Sequence, residues 1–107
     1  MNKLHGWVGK ILRVDLTTGT CSELQTNEYT GYIGGLGISA RIAWEEIPAG
    51  IGPFDPENKL FFMTGPLGGI PIVPGAGRGS LSGVSAQVHP KPCFTYSNMG
   101  GDWPTEL

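Results

Sequence analysis

Charge is scarce in this chain, which has 7 Lys and Arg against 9 Asp and Glu among its 107 residues and a formal net charge of −2. No basic stripe is visible, so the electrostatic footprint of nucleic-acid binding is missing and a small partner is expected instead. Cysteine is scarcer still. Cys21 and Cys93 lie far apart, with no Cys-x-x-Cys pair and no histidine at ligand spacing, which excludes a zinc site or redox motif of recognisable pattern. Both are expected to be buried free thiols of a reducing compartment. The opening Met1-Asn2-Lys3-Leu4-His5-Gly6-Trp7 lacks the apolar core of a secretory signal, and no run approaches the length of a membrane-spanning helix. A soluble, cytoplasmic protein is expected. His5 and His89 have no carboxylate or thiol at useful spacing, so they read as surface or turn residues, and no nucleophile with its base is recognisable.

Glycine is abundant. There are 18 glycines and 9 prolines, about a quarter of the chain and close to the composition at which low-complexity disorder becomes the expectation. The 39% hydrophobic content, arranged in ordered runs, argues for a folded domain instead. A chain of this length forms one domain, burying roughly two-thirds of the surface its unfolded form exposes.

Two periodicities alternate along the chain. From Trp7 to Leu16, Val8, Leu12, Val14 and Leu16 share one face at period two while Arg13 and Asp15 point away, which predicts a strand. Thr17-Thr18-Gly19 turns the chain, Gly19 suiting the left-handed position of a hairpin loop, and Thr20 to Gln25 returns as the partner strand. Asn27 is expected to cap a short helical turn ended by Gly34-Gly35. Leu36 to Ile47 predicts a helix, with Leu36, Ala40, Ala43, Trp44 and Ile47 as its apolar stripe, Trp44 packed onto the strands and Glu45-Glu46 in solvent; Pro48 ends it. Leu60 to Met63 reads as a strand covered on both faces. Gly79 to Val84 and Cys93 to Ser97 are two further strands joined through His89-Pro90-Lys91-Pro92. The sum is an α+β domain with a mainly antiparallel sheet and one principal helix, and no internal repeat or linker marks a second domain.

The glycines gather at Gly34-Gly35-Leu36-Gly37, Gly65-Pro66-Leu67-Gly68-Gly69, Gly75-Ala76-Gly77-Arg78-Gly79 and Gly100-Gly101, all at the ends of predicted elements. Without a Cβ, such backbone comes within contact distance of a ligand, which suits something flat or phosphorylated. Arg78 stands between two glycines, and its planar fork can grip phosphate oxygens through two parallel bonds; from composition alone it reads as an ordinary surface arginine. In Asn98-Met99-Gly100-Gly101, an oxygen of Asn98 would suit a hard cation such as Mg²⁺, and the glycine amides would suit phosphate. A strand-ending turn explains the same residues. Gly35-Leu36-Gly37-Ile38-Ser39-Ala40 also matches the dinucleotide fingerprint G-x-G-x-x-A, but the segment before it is a poor strand, and the acidic residue the fingerprint needs would be Asp55 or Glu57 in a proline-rich loop.

The order of these clusters, together with Arg13-Val14-Asp15-Leu16-Thr17-Thr18-Gly19 and Pro56-Glu57-Asn58-Lys59-Leu60, resembles the N-terminal domain of the aldehyde:ferredoxin oxidoreductase family. The resemblance runs over residues 6–107. It implies an enzyme carrying tungsten or molybdenum on a bis-pterin cofactor with magnesium, beside a 4Fe-4S cluster whose cysteines are not Cys21 or Cys93. By position, Arg78, Asn98, Gly100 and Gly101 would be cofactor-binding residues, with Asn98 a magnesium contact; none of the chain's residues is implied to be catalytic. The implied reaction is oxidation at the aldehyde or oxo group of a small aldehyde or acyl substrate, with ferredoxin or an iron-sulfur subunit accepting electrons. Homo-oligomerisation is compatible with this reading.

The sequence also departs from the family pattern. Leu36 stands where members often place Arg or Met, Gly68 where they place Thr, and Asp102, Pro104 and Thr105 replace the usual aromatic and small residues. These changes suggest a divergent branch, nearer the aryl-CoA reductase or uncharacterised oxidoreductase members, and they leave the substrate open. Family enzymes are much longer, so the chain is expected to be an N-terminal fragment of one, supplying part of the cofactor platform and inactive by itself. The competing readings are a non-catalytic phosphate- or pterin-binding module and a small nucleotide-binding domain.

Overall fold

In the computed structural model, which describes residues 5–87 and 90–107, β1 (Lys10–Asp15) and β2 (Thr20–Gln25) form an antiparallel hairpin. Asp15 nucleates its turn, one carboxylate oxygen accepting the backbone N–H groups of Thr17 at 2.8 Å and Thr18 at 3.2 Å. Gly19 completes it at φ 68°, a conformation that costs a side-chain-bearing residue about 1 kcal/mol. Two 3₁₀ turns follow, Thr26–Glu28 and Thr30–Tyr32, then α1 (Leu36–Glu46), β3 (Phe61–Met63), β4 (Gly79–Ser85), β5 (Cys93–Met99) and a last short helix, α2 (Trp103–Glu106). The second sheet is antiparallel in the order β3-β4-β5.

Helix α1 lies on one face of that sheet. Ile38, Ile42 and Ala43 bury against Phe61 and Met63, and Ile11, Leu24, Tyr29, Ile47 and Phe94 close the edges of the cluster. Each large side chain fully buried there contributes roughly 1.5–3 kcal/mol. At its centre Ser39 is wholly buried; its hydroxyl donates to the Leu36 carbonyl at 3.0 Å and lies 3.0 Å from the Ser82 hydroxyl. Small residues at 39 and 82 allow helix and strand to approach closely.

The α+β class, antiparallel pairing and single principal helix are as the sequence predicts; several orientations are not. Trp44 is 81% exposed and Ala40 is exposed too, because the buried face of α1 is Ile38-Ser39-Ile42-Ala43 and the polar Ser39 hides its centre from any count of apolar residues. In the hairpin, the inward pair is Ile11 with its partner Leu24, which leaves Leu12 at 68% and Val14 at 52% exposure on the outer face. Arg13 therefore points toward the body, where its guanidinium grips Glu46, Nη1 at 2.9 Å from Oε1 and Nη2 at 2.8 Å from Oε2. Lys59 adds a second cation 3.5 Å from Oε2, so Glu46 is half-buried rather than solvated.

Further differences have local causes. β3 is covered on one face only, Phe62 turning outward to meet Trp103 edge-on at 5.5 Å between ring centroids. Asn27 makes no side-chain cap; its carbonyl instead accepts the Thr30 hydroxyl at 3.2 Å. Cys21 and Cys93 are free, as expected, but exposed, since one lies on the outer face of the hairpin and the other opens β5. α2, with a proline in its first turn, is absent from the sequence reading. His89 lies outside the described residues. Among the described residues, no helix is long and apolar enough to cross a membrane.

Candidate functional site

The four glycine clusters, scattered over most of the sequence, touch one another in series. A Cβ on Gly34 would meet the Gly65 Cα at 2.9 Å, joining the first cluster to the second, and the Gly35 amide donates to the Thr64 carbonyl at 2.8 Å beside them. Gly69 donates to the Ala76 carbonyl at 3.1 Å, joining second to third. The Gly101 carbonyl lies 3.8 Å from the place a Cβ of Gly77 would take, joining third to fourth. The folding reason is the sheet: β3 ends at Met63, β4 begins at Gly79 and β5 ends at Met99, so the second, third and fourth clusters emerge from one edge of it, while the first sits where α1 begins.

Arg78 stands at the middle of this surface. It directly precedes Gly79, whose register partner Met99 directly precedes Gly100. Its side chain is exposed and makes no ion pair among the described residues, unlike Arg13 and Arg41, which pair with Glu46 and Glu45. A concavity of about 240 Å³ opens beside it, walled by Ile33, Gly65, Leu67, Gly68 and Ala76, with Arg78 its one charged side chain among the described residues. That is smaller than the roughly 300–1,000 Å³ of a site enclosing a whole small-molecule ligand, so it suits one end of a ligand. Asn98, Gly100 and Gly101 do not line it. Asn98 faces Ser80 across the strands and is exposed, and Gly100 and Gly101 border the Arg78 loop from the β5 side.

A larger concavity of about 590 Å³ lies at the opposite end of β4, walled by Ala43, Trp44, Ile47, Val84, Cys93 and Phe94. Among the described residues it has no charged side chain in its wall, and none of the predicted site residues lines it. For an anionic ligand the smaller concavity is the better match.

The residues around Arg78 suit a phosphate-bearing, flat cofactor. Gly101 has φ 89°, and a Cβ at Gly75, Gly100 or Gly101 would meet nothing within 4 Å, so backbone faces open space next to an unpaired guanidinium. Exposed Asp102, next to Gly101 in the chain, carries opposing charge. Among the described residues, no three His, Cys, Asp or Glu side chains gather as a metal site, so metal or cluster ligands of that kind are not assembled here. The dinucleotide reading also loses its context, because a 3₁₀ turn rather than a strand precedes α1 and β3 pairs antiparallel with β4.

Two contributors were not legible. Ile33 walls the concavity, and Trp7 holds it from behind, its indole N–H donating to the Ile33 carbonyl at 2.8 Å. Ile33 adopts φ 68° and ψ −65°, and the Gly34 amide donates to the Tyr32 carbonyl at 2.9 Å across it, a γ-turn of the strained, positive-φ kind. Nothing in an isoleucine before two glycines signals this.

The profile described as "Aldehyde ferredoxin oxidoreductase, N-terminal domain" matches residues 11–107. The chain is 44% identical over 68 residues to the tungsten-containing aldehyde ferredoxin oxidoreductase of Pyrococcus abyssi, covering 62% of this chain and 11% of that protein. To the protein of the same description from Thermococcus kodakarensis it is 32% identical over 109 residues, covering 97% of this chain and 17% of the relative. It also resembles a chain of the solved active-site complex BamBC of benzoyl coenzyme A reductase in complex with 1,5-dienoyl-CoA, with a TM-score of 0.84 and 39% identity over 95% of this chain and 15% of that one. The chain thus spans between 11 and 17% of the length of these relatives.

Proposed function

Since the chain belongs to the aldehyde ferredoxin oxidoreductase family, matching its N-terminal domain, we propose that it supplies one wall of a tungsten- or molybdenum-pterin site, with Arg78, Gly100 and Gly101 turned to the cofactor's anionic end. The observation that carries this reading is the serial contact of the four glycine clusters around an unpaired Arg78. When bound, the metal-pterin group supplies the redox chemistry. This chain's residues bind and orient it: the Arg78 guanidinium takes two phosphate oxygens in parallel, and the glycine amides approach the same group unobstructed. Asn98, exposed at the end of β5, is the residue that would offer an oxygen to a magnesium ion.

We take the domain to begin at Gly6, ahead of the matched segment. Gly6 is packed on Pro66, whose carbonyl would lie 2.7 Å from any Cβ there, and Trp7 bonds Ile33. The complete reaction belongs to a longer polypeptide, in which the substrate is a small aldehyde or acyl compound and the electron acceptor ferredoxin or an iron-sulfur subunit; a 4Fe-4S cluster takes its cysteines from elsewhere in it. The isolated chain is inactive. A second reading, reduction of an aryl-CoA in place of aldehyde oxidation, is favoured by the 39% identity to the benzoyl coenzyme A reductase chain over nearly the whole sequence. Both use the same platform.

The test is to place this chain in the Thermococcus kodakarensis relative in exchange for the matched segment and to compare Arg78→Lys with the unaltered exchange. An ammonium cannot reproduce the bidentate grip, so metal and pterin per polypeptide should fall several-fold with the fold unchanged. Gly101→Ala should lower occupancy in the same way. Equal metal and pterin content in all three proteins would overturn the assignment.

A further inference from the structure

A β-branched residue at positive φ is disfavoured twice, by its Cβ and by its branching, and such outliers persist only where surroundings over-determine them. Ile33 is held from several sides: its amide donates to the Thr30 carbonyl at 3.0 Å, its carbonyl accepts the Trp7 indole, and the next two amides are bound by the Tyr32 and Thr64 carbonyls. None of this bonding needs an isoleucine side chain. Ile33 is 67% exposed, so it does little for the core, yet it lines the concavity beside Arg78. Ile33, Leu67 and Ala76 give that hollow apolar walls, with Arg78 the one cation among the described residues that line it.

We propose that Ile33 is a specificity-determining contact for the pterin ring: the Trp7-braced turn presents its side chain as an apolar wall for the face of a flat heteroaromatic ring whose anionic arm lies on Arg78. This rests on the pterin-platform reading above and adds to it which residue takes the ring. A ligand offering only the anion would use Arg78 and leave Ile33 untouched. Strain retained at an exposed position is then the cost of holding a ring-contacting side chain where a glycine would be more comfortable.

The experiment uses the 107-residue chain with neopterin monophosphate as probe and inorganic phosphate as control, following the Ile33 methyl and Arg78 side-chain NMR signals. Neopterin monophosphate is expected to shift both, and inorganic phosphate only that of Arg78. The variant Ile33→Gly should keep or raise the melting temperature, since the strain is relieved, while weakening neopterin monophosphate roughly tenfold and leaving inorganic phosphate unchanged. Neopterin monophosphate that shifts Arg78 and not Ile33 overturns the role of Ile33 and leaves the platform reading standing. Shifts at neither residue count against both. A melting temperature that falls in Ile33→Gly, with neopterin monophosphate binding unchanged, makes Ile33 a packing residue and ends the proposal; the unaltered chain decides the matter alone if the variant does not fold.

Discussion

Asn58 pairs with Val84 as a neighbouring strand would. Its amide oxygen accepts the Val84 N–H at 3.1 Å and its amide nitrogen donates to the Val84 carbonyl at 3.0 Å, so one side chain satisfies both backbone groups of a residue that β3 is too short to reach. The same amide accepts the Lys59 N–H at 2.9 Å and donates to the Pro53 carbonyl at 2.8 Å, tying the proline loop to the sheet. Beside it, Gly83 lets the chain pass the Lys59 carbonyl, which would lie 2.7 Å from any Cβ there.

Asn58→Ala removes four bonds and leaves part-buried backbone groups unsatisfied. A loss of about 2–3 kcal/mol is expected, a large part of the stability of a domain this size. Urea unfolding followed by circular dichroism measures it, and a loss below about 0.5 kcal/mol would mean that water replaces the clamp.

The Ser39 and Ser82 hydroxyls, 3.0 Å apart in the core, make a coupled pair. Ser39→Ala strands the Ser82 hydroxyl and should cost about 1–3 kcal/mol, whereas Ser39→Ala with Ser82→Ala removes both partners and should recover much of that. A double-mutant cycle returning strict additivity would show that the two do not interact.

Asp15 connects the hairpin to pH. The amides of Thr18 and Thr17 hold its carboxyl below the ordinary 3.8, with the Thr18 hydroxyl and Arg13 adding to the effect against a small opposing cost of burial. Because the folded value is the lower one, the charged carboxylate stabilises the fold above pH 3.8, and that contribution disappears as pH falls through the folded value. Asp15→Asn should therefore melt below the unaltered chain near neutrality and converge with it in acid. A gap constant with pH would place the stabilisation in the turn's shape and not in the charge.

Leu12 and Val14 form an apolar outer face on the hairpin, with Val8 and Leu16 exposed along it. Such patches drive association, so the isolated chain should self-associate with rising concentration, and Leu12→Thr with Val14→Thr should abolish this while changing stability by only about 0.5 kcal/mol. Sedimentation velocity decides it. A monomer at every concentration would make the face innocuous.

The strands, the hairpin turn and the extent of α1 were legible because local periodicity alone dictates them. Which face of an element turns inward was less so. Ser39, polar by type, is the most buried residue of α1, while Trp44, apolar by type, is exposed, and only the meeting with Ser82 explains the choice. The glycine clusters and Arg78 were visible one by one, but their serial contact is set by where three strands end. The strained turn at Ile33 and the strand-like amide of Asn58 arise from contacts between segments distant in sequence, which no local pattern records.

Among the described residues the two sheets share no backbone ladder. The hairpin is fastened to the rest chiefly through side chains, the Ile11 and Leu24 contacts and the fork of Arg13 on Glu46, while the Thr26 amide bonded to the Gly9 carbonyl adds one more rung to the hairpin itself. Its ladder can therefore open without disturbing a single bond of β3-β4-β5, as a separate exchange unit with its own protection factor. Amide protons of β1 and β2 are then reporters of a sub-global opening, and those of β4, clamped on both edges, reporters of global unfolding.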